Sequence, residues 1–356
     1  MVSCLRHHPE RKPHPNYLMT IHSKRLLFYL SAGFLMLACA LSAVAQEKPD
    51  RPPWAQPQPT EEGKADKAMS KNKIQEQAPP RGTIKVNVSL VNVLVSVLDD
   101  HNRPAPDLPV DAFQISEEGV QQKVDIFEPE TKLPLDLALM IDASLSERKE
   151  MPFERDAASR FIKQILRPDD RMSVFFFDEN VTQLAAFSDN IATLQDAVRR
   201  VPDGAGTSIY DAVLLGAHAL EKRPNDRRRV IVLLTDAGET TSRADFDAAR
   251  KAALRAEILL YTIVIRPVKN ENGRNTAGEH ALQTITETTG GAMFFPDSAQ
   301  ELPMIFDRIE QELRTQYRLA YYPEPKGSPN SYRSIEVKVL PGYTARHRTT
   351  YLTGPQ

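Results

Sequence analysis

The sequence predicts a doubly wound α/β fold with a mostly parallel sheet, plus a small antiparallel β domain formed by flanking segments. Three observations carry this. Near-continuous apolar runs at residues 135–141, 172–177, 230–234 and 258–265 read as strands buried on both faces, as in a parallel sheet covered by helices. Between them lie helical periods, with apolar residues three or four apart: Phe153, Ala157, Phe161 and Ile165, then Leu194, Ala197, Val198 and Val201, then Leu302, Ile305, Phe306, Ile309 and Leu313. Outside this centre the apolar residues alternate, which means one buried face per strand.

The 356 residues, with 41% hydrophobic and 26% charged, allow two domains with real cores. Residues 1–45 read as an export leader. Lys24-Arg25 precede an apolar run from Leu26 to Ala40, and Ala43-Val44-Ala45 is a small-x-small cleavage pattern. The run is too short for a good spanning helix, so membrane contact is expected only through export or through an uncleaved leader. Met19 offers an alternative start. The expected location is extracytoplasmic: secreted, periplasmic or envelope-associated. Residues 46–82 hold seven prolines among Lys, Glu and Gln, a composition that buries too little surface to offset ordering and reads as a disordered tether.

Residues 83–130 read as a small β domain. Ile84, Val86, Val88 and Leu90 alternate on even positions and Val91, Val93, Val95 and Val97 on odd ones, so the phase slips at Leu90-Val91 through a bulge or break. Asp99-Asp100-His101-Asn102 is turn chemistry. Phe113/Ile115 and Val124/Ile126 flank Glu117-Glu118-Gly119 as a predicted hairpin. Residues 133–315 form the α/β centre, in which Gly290-Gly291 stops a helix before a short strand over 292–295. In residues 316–356, Tyr317-Leu319-Tyr321 and Ile335-Val337-Val339 read as strands suited to completing the small β domain.

The formal charge of −2 excludes nucleic-acid binding by bulk positive charge. Beyond the leader the chain holds 40 basic and 46 acidic residues and no cysteine. That excludes disulfides, thiolate metal sites and a cysteine nucleophile there. His101, His218, His280 and His347 are scattered and read as structural or surface groups. Arg227-Arg228-Arg229 reads as a solvated lead-in to a strand. No nucleophile elbow, phosphate loop, dinucleotide fingerprint or His-Glu-x-x-His occurs.

Three loops carry candidate chemistry. The first central strand ends in Asp142-Ala143-Ser144-Leu145-Ser146, beyond the carboxyl end of a strand, where ligands of open α/β sheets bind. The i, i+2, i+4 spacing in an extended turn points one carboxylate and two hydroxyls the same way, a hard oxygen set suited to Mg²⁺ or Mn²⁺. The same residues also suit a helix cap, with Asp142 accepting from backbone amides. Gly204-Ala205-Gly206-Thr207-Ser208 precedes a helix, and its glycines let Thr207 approach a ligand closely. Residues 229–234 lead to Thr235-Asp236-Ala237-Gly238-Glu239, placing Asp236 at a second strand's carboxyl end.

In these three motifs, residues 133–315 resemble the von Willebrand factor type A domain. Its metal-ion-dependent adhesion site combines Asp-x-Ser-x-Ser, a distant Thr and a distant Asp. The resemblance implies strand order 3-2-1-4-5-6 with the third strand, at 182–186, antiparallel at an edge. It also implies that Ser144 and Ser146 bind the cation directly, Thr207 directly or through water, and Asp142 and Asp236 through water. Mg²⁺ or Mn²⁺ is the expected ion, with Ca²⁺ a third candidate. The expected partner is a protein presenting Asp or Glu to an open metal position. One departure is that Ala237 separates Asp236 from Gly238, where many members have Asp-Gly. The leader, the stretch 111–119 and the tail Gln316-Tyr317-Arg318-Leu319-Ala320-Tyr321-Tyr322-Pro323 also resemble secreted proteins of this kind from Acidobacteria.

The expected function is therefore metal-dependent protein binding, as an adhesion or scaffold module and not an enzyme. Two alternatives are an envelope hydrolase using the same cation, with Glu239 as base, and a structural scaffold whose metal site is unused.

Overall fold

The computed structural model describes residues 90–129, 132–144, 151–265 and 276–354. The leader, the proline-rich segment, the even-phase valines before Leu90 and Ser146 lie outside the described residues. No described helix is long and apolar enough to cross a membrane.

The described chain opens with β1 (Val91–Leu98), β2 (Gln114–Glu117), β3 (Val120–Gln122) and β4 (Ile126–Glu128). The predicted hairpin is real, but its second strand differs. Glu118 and Gly119 both have positive φ (50° and 77°), the backbone of a two-residue turn matched to strand twist. Glu117 therefore pairs directly with Val120, and β3 is spent by Gln122. Ile126 instead enters β4, where it pairs with Ala320 in the other sheet.

The centre follows as β5 (Leu135–Asp142), α1 (Met151–Ile165), β6 (Arg171–Phe177), β7 (Val181–Ser188), α2 (Ile191–Arg199), α3 (Ile209–Glu221) and β8 (Arg228–Thr235). It continues with α4 (Phe246–Arg255), β9 (Ile258–Val264), α5 (Thr276–Thr289), β10 (Met293–Phe294) and α6 (Leu302–Arg314). The sheet order is β10-β9-β8-β5-β6-β7. Every pairing is parallel except β6 with β7, so the implied order and antiparallel edge are both present.

Period two decides which helices each strand meets. Leu135, Leu137, Leu139 and Ile141 join the core with α1, α2 and α6, while Ala138 and Met140 join the opposite core with α3, α4 and α5. Phe161 and Phe306 stack at 4.4 Å between α1 and α6. Phe153 departs from the predicted stripe. It is 51% exposed, and Glu154 takes the buried position in the first turn of α1, because the core stripe runs 154-158-161-165 and leaves position 153 to the side. At the end of α5, Gly290 has φ +86° and a Cβ on Gly291 would lie 1.8 Å from the Leu260 carbonyl. These two glycines let the chain turn tightly into β10.

The last strands are β11 (Tyr317–Tyr321), β12 (Tyr332–Lys338), β13 (Thr344–His347) and β14 (Thr350–Leu352). They interleave with the first ones in two antiparallel sheets, β13-β1-β11-β4 and β14-β12-β2-β3, around a core that includes Val93, Val95, Phe113, Ile115, Leu319, Ile335 and Val337. Glu117 is buried in this core, accepting from Tyr321 (2.6 Å) and Tyr351 (3.0 Å) and pairing with Arg333. Burial and this carboxylate hold both tyrosine hydroxyls above their ordinary pKa.

Polar bonds join these strands to the α/β layers. Arg346 and Tyr261 both bond the buried Glu312, Thr349 N donates to Thr288 O (3.1 Å), and Arg348 pairs with Glu257 (2.9 Å). His347 is buried and structural: its Nε2 accepts from Val337 N at 3.1 Å, so Nδ1 carries the proton toward Arg348 O at 2.8 Å. His101, His218 and His280 are exposed.

Candidate functional site

β5 and β8 are neighbouring parallel strands with Ile141 opposite Leu234. They therefore end side by side, and Asp142 and Thr235 meet one residue later. The Thr235 hydroxyl donates to Asp142 Oδ2 (2.7 Å), and Ser144 N donates to Asp142 Oδ1 (3.0 Å). The amide-accepting part of the capping arrangement is thus present, and each Asp142 oxygen still has acceptor capacity.

Asp142 is 1% exposed. Burial pushes its carboxyl up to about 8, and the neighbouring Asp236 carboxylate adds to the rise against the hydrogen bonds from Thr235 and Ser144. Among the described residues no lysine or arginine pairs with either acid. Two carboxylates converging without a base leave a need for positive charge that a cation fits.

The glycine loop is held against both strand ends. Gly204 N donates to Ala143 O. A Cβ on Gly204 would lie 2.8 Å from that oxygen and 2.6 Å from Asp178 Cβ, so only glycine permits this approach. On the other side, Thr207 N donates to Thr240 Oγ1 (2.8 Å) and Thr207 O accepts from Thr240 N (2.9 Å). Thr207 is buried between the two. After β8, Ala237 takes a positive φ of 64°, turning the chain so that Gly238 N reaches Asp236 Oδ1 at 2.8 Å. The extra residue between Asp236 and Gly238 is absorbed in that turn.

The fold thus gathers Asp142, Ser144, Thr207 and Asp236 onto three stitched loops at one end of the sheet. Ser146 lies outside the described residues. Sequence reasoning missed Thr235, which bonds Asp142, and Asp178, which closes the β6 side beside Gly204. The available signal was position, since both lie at carboxyl ends of strands flanking the motif. Glu239 is placed differently from the base that a hydrolase needs. Its Oε2 accepts from Ile209 N (2.7 Å), Tyr210 N (3.2 Å) and Ser242 Oγ (2.8 Å), while Oε1 accepts from Ser242 N (2.9 Å). The carboxylate caps α3 and satisfies its first amides. Asp99, Asp100 and His101 bring their ligand atoms within 4.8 Å of one another. There Asp99 Oδ1 closes the predicted turn by accepting from the His101 and Arg103 amides, each at 2.9 Å.

No curated protein matches the chain. Among solved structures it is similar to a von Willebrand factor type A protein from Catenulispora acidiphila, at 12% identity and a TM-score of 0.45 over 76% of each chain. It is also similar to the vWF domain of the type V pili tip protein Mfa5 from Porphyromonas gingivalis, at 13% identity and a TM-score of 0.41, over 51% of this chain and 95% of that one. A third is proximal thread matrix protein 1 from the mussel byssus, at 18% identity and a TM-score of 0.44, over 56% of this chain and 51% of that one. Residues 137–239, which contain all three motifs and lie within the central α/β domain, match the family model for the von Willebrand factor type A domain.

Proposed function

We propose that this chain is an extracytoplasmic binding protein whose central domain captures a protein partner through a divalent cation. Domains of this family often bind a divalent metal and mediate protein–protein contacts. The observation that carries the reading is the pair Asp142 and Asp236, converging at adjacent strand ends with no lysine or arginine paired to either among the described residues, and with Asp142 raised to about 8 by burial and by its neighbour. The hydroxyls of Ser144, Ser146 and Thr207 would hold Mg²⁺ or Mn²⁺. Asp142, already engaged by Thr235 and Ser144, and Asp236 would hold coordinating waters. Held mainly through neutral hydroxyls, such an ion would keep positive charge and would supply Lewis acidity toward a partner's Asp or Glu. The leader at 1–45 supports the location. With Glu239 committed to α3, binding is favoured over turnover.

The test is calorimetric titration of Mg²⁺ and Mn²⁺ into the chelator-treated chain, with Asp142→Ala and Asp236→Ala in parallel. Saturable binding lost in both variants is expected. A folded wild-type chain that binds neither ion, with or without an added carboxylate such as acetate, would leave the scaffold reading in its place.

A further inference from the structure

At the other end of the central sheet, where β8 and β9 begin, a cavity of about 600 Å³ opens between the sheet and strands β1 and β11. That volume suits a small organic molecule. Among the described residues, six arginines line it (Arg227, Arg228, Arg229, Arg255, Arg318 and Arg348) against two acids, Asp226 and Glu257. The run 227–229 is therefore not a solvated lead-in, since Arg228 and Arg229 are 3% and 9% exposed.

Their partners show where the charge is left over. Arg227 pairs with Asp136 (2.8 Å), Arg318 with Glu128 (2.9 Å) and Arg348 with Glu257 (2.9 Å). Arg228 donates to neutral acceptors, Leu133 O (2.9 Å), Leu313 O and Gln316 Oε1 (3.2 Å), and the Asp170 carboxylate that acts on its charge is itself paired with Arg314. Arg229 likewise meets Ala256 O (3.1 Å), Arg223 O (2.8 Å) and Asn225 Oδ1 (2.7 Å), and its buried Nε has no hydrogen-bond partner among the described residues. Asp136 is shared with Arg223 and so neutralises less than one charge per arginine. Arg255 stands exposed at the cavity. Burying guanidinium groups without counter-charge is costly, and an anion in the cavity relieves that cost. Leu94, Leu133 and Leu259 give the same cavity an apolar wall.

We propose that this cavity binds a small organic oxyanion, a molecule joining a carboxylate or phosphate group to a compact body. Guanidinium forks match both headgroups in geometry and charge. The site is independent of the cation reading, being at the opposite end of the sheet and built from different residues.

The experiment is calorimetric titration of the full chain with citrate and, separately, with inorganic pyrophosphate, in chelator at constant ionic strength so that no metal contributes. Arg255→Gln and Arg229→Gln are run alongside. The expected result is a saturable one-site isotherm for at least one probe, weakened about tenfold or more by Arg255→Gln at unchanged melting temperature, as for loss of one charged hydrogen-bond donor. Which probe binds identifies the headgroup. A folded wild-type chain that saturates with neither probe overturns the proposal, as does equal binding by wild type and Arg255→Gln. A folded Arg229→Gln chain is expected to bind more weakly as well, and wild-type affinity in it overturns the role of the buried pair.

Discussion

Asp142 shows how one residue's burial becomes a measurable property. Its ordinary value is 3.8, and in the fold it is raised to about 8, first by desolvation and then by Asp236. Between those values the metal-free folded chain holds a proton that the unfolded chain has released. Stability is therefore complete at low pH and lost as pH rises through this window, by up to about 1.4 kcal/mol per unit. The melting temperature of the chelator-treated chain should fall from pH 5 to pH 8, and Asp142→Asn should flatten that slope. Added Mg²⁺ should raise the wild-type melting temperature most at pH 8, where the carboxylate is available to it. Equal slopes in wild type and Asp142→Asn would remove Asp142 as the titrating group.

At the scale of elements, the loop that follows β8 also caps α3. Asp236 faces the candidate cation site while Glu239, three residues on, satisfies the amides of Ile209 and Tyr210. The two acids should separate cleanly on mutation. Glu239→Gln removes a charge at a helix N-terminus and should lower stability by about 1 kcal/mol in urea titration while leaving cation affinity near that of wild type. Asp236→Ala should do the reverse. A Glu239→Gln chain that keeps its stability but loses the cation would place Glu239 in the cation site and not in the cap of α3.

On the scale of the whole molecule, strands far apart in sequence complete each other's sheets. β1 lies between β11 and β13, and β2 lies between β3 and β12. A chain ending at residue 315 removes β11 to β14 and the bonds of Arg346 and Arg348 to Glu312 and Glu257. It strips the edges of β1 and β2 and opens the core around Val93, Val95 and Ile115. Such a chain should bind a hydrophobic dye and lose protease protection over 91–128. Retained protection there would show that the first strands hold together unaided.

The elements built on local signals were legible because their causes are local. The apolar runs, the helical periods and the Asp-x-Ser-x-Ser motif each depend on residues within a few positions of one another. The parallel sheet follows from runs apolar on both faces, and Asp142 and Asp236 lie where such strands end, while the reading of Asp142, Ser144, Ser146, Thr207 and Asp236 as metal residues came from the resemblance that the three motifs carry. Tertiary structure alone decided what depends on distant partners. Thr235 bonds Asp142 across 93 positions, and Glu239 reaches back 30 positions to cap α3. Ile126 leaves the hairpin for a strand nearly two hundred residues away. The arginine run at 227–229 looked solvated because charge in a short run usually is. Arg228 and Arg229 are buried because segments distant in sequence, at Leu133, Ala256 and Leu313, close around them. A side chain's periodicity and chemistry are properties of the sequence, whereas its solvent and its partners are set only when the chain is folded.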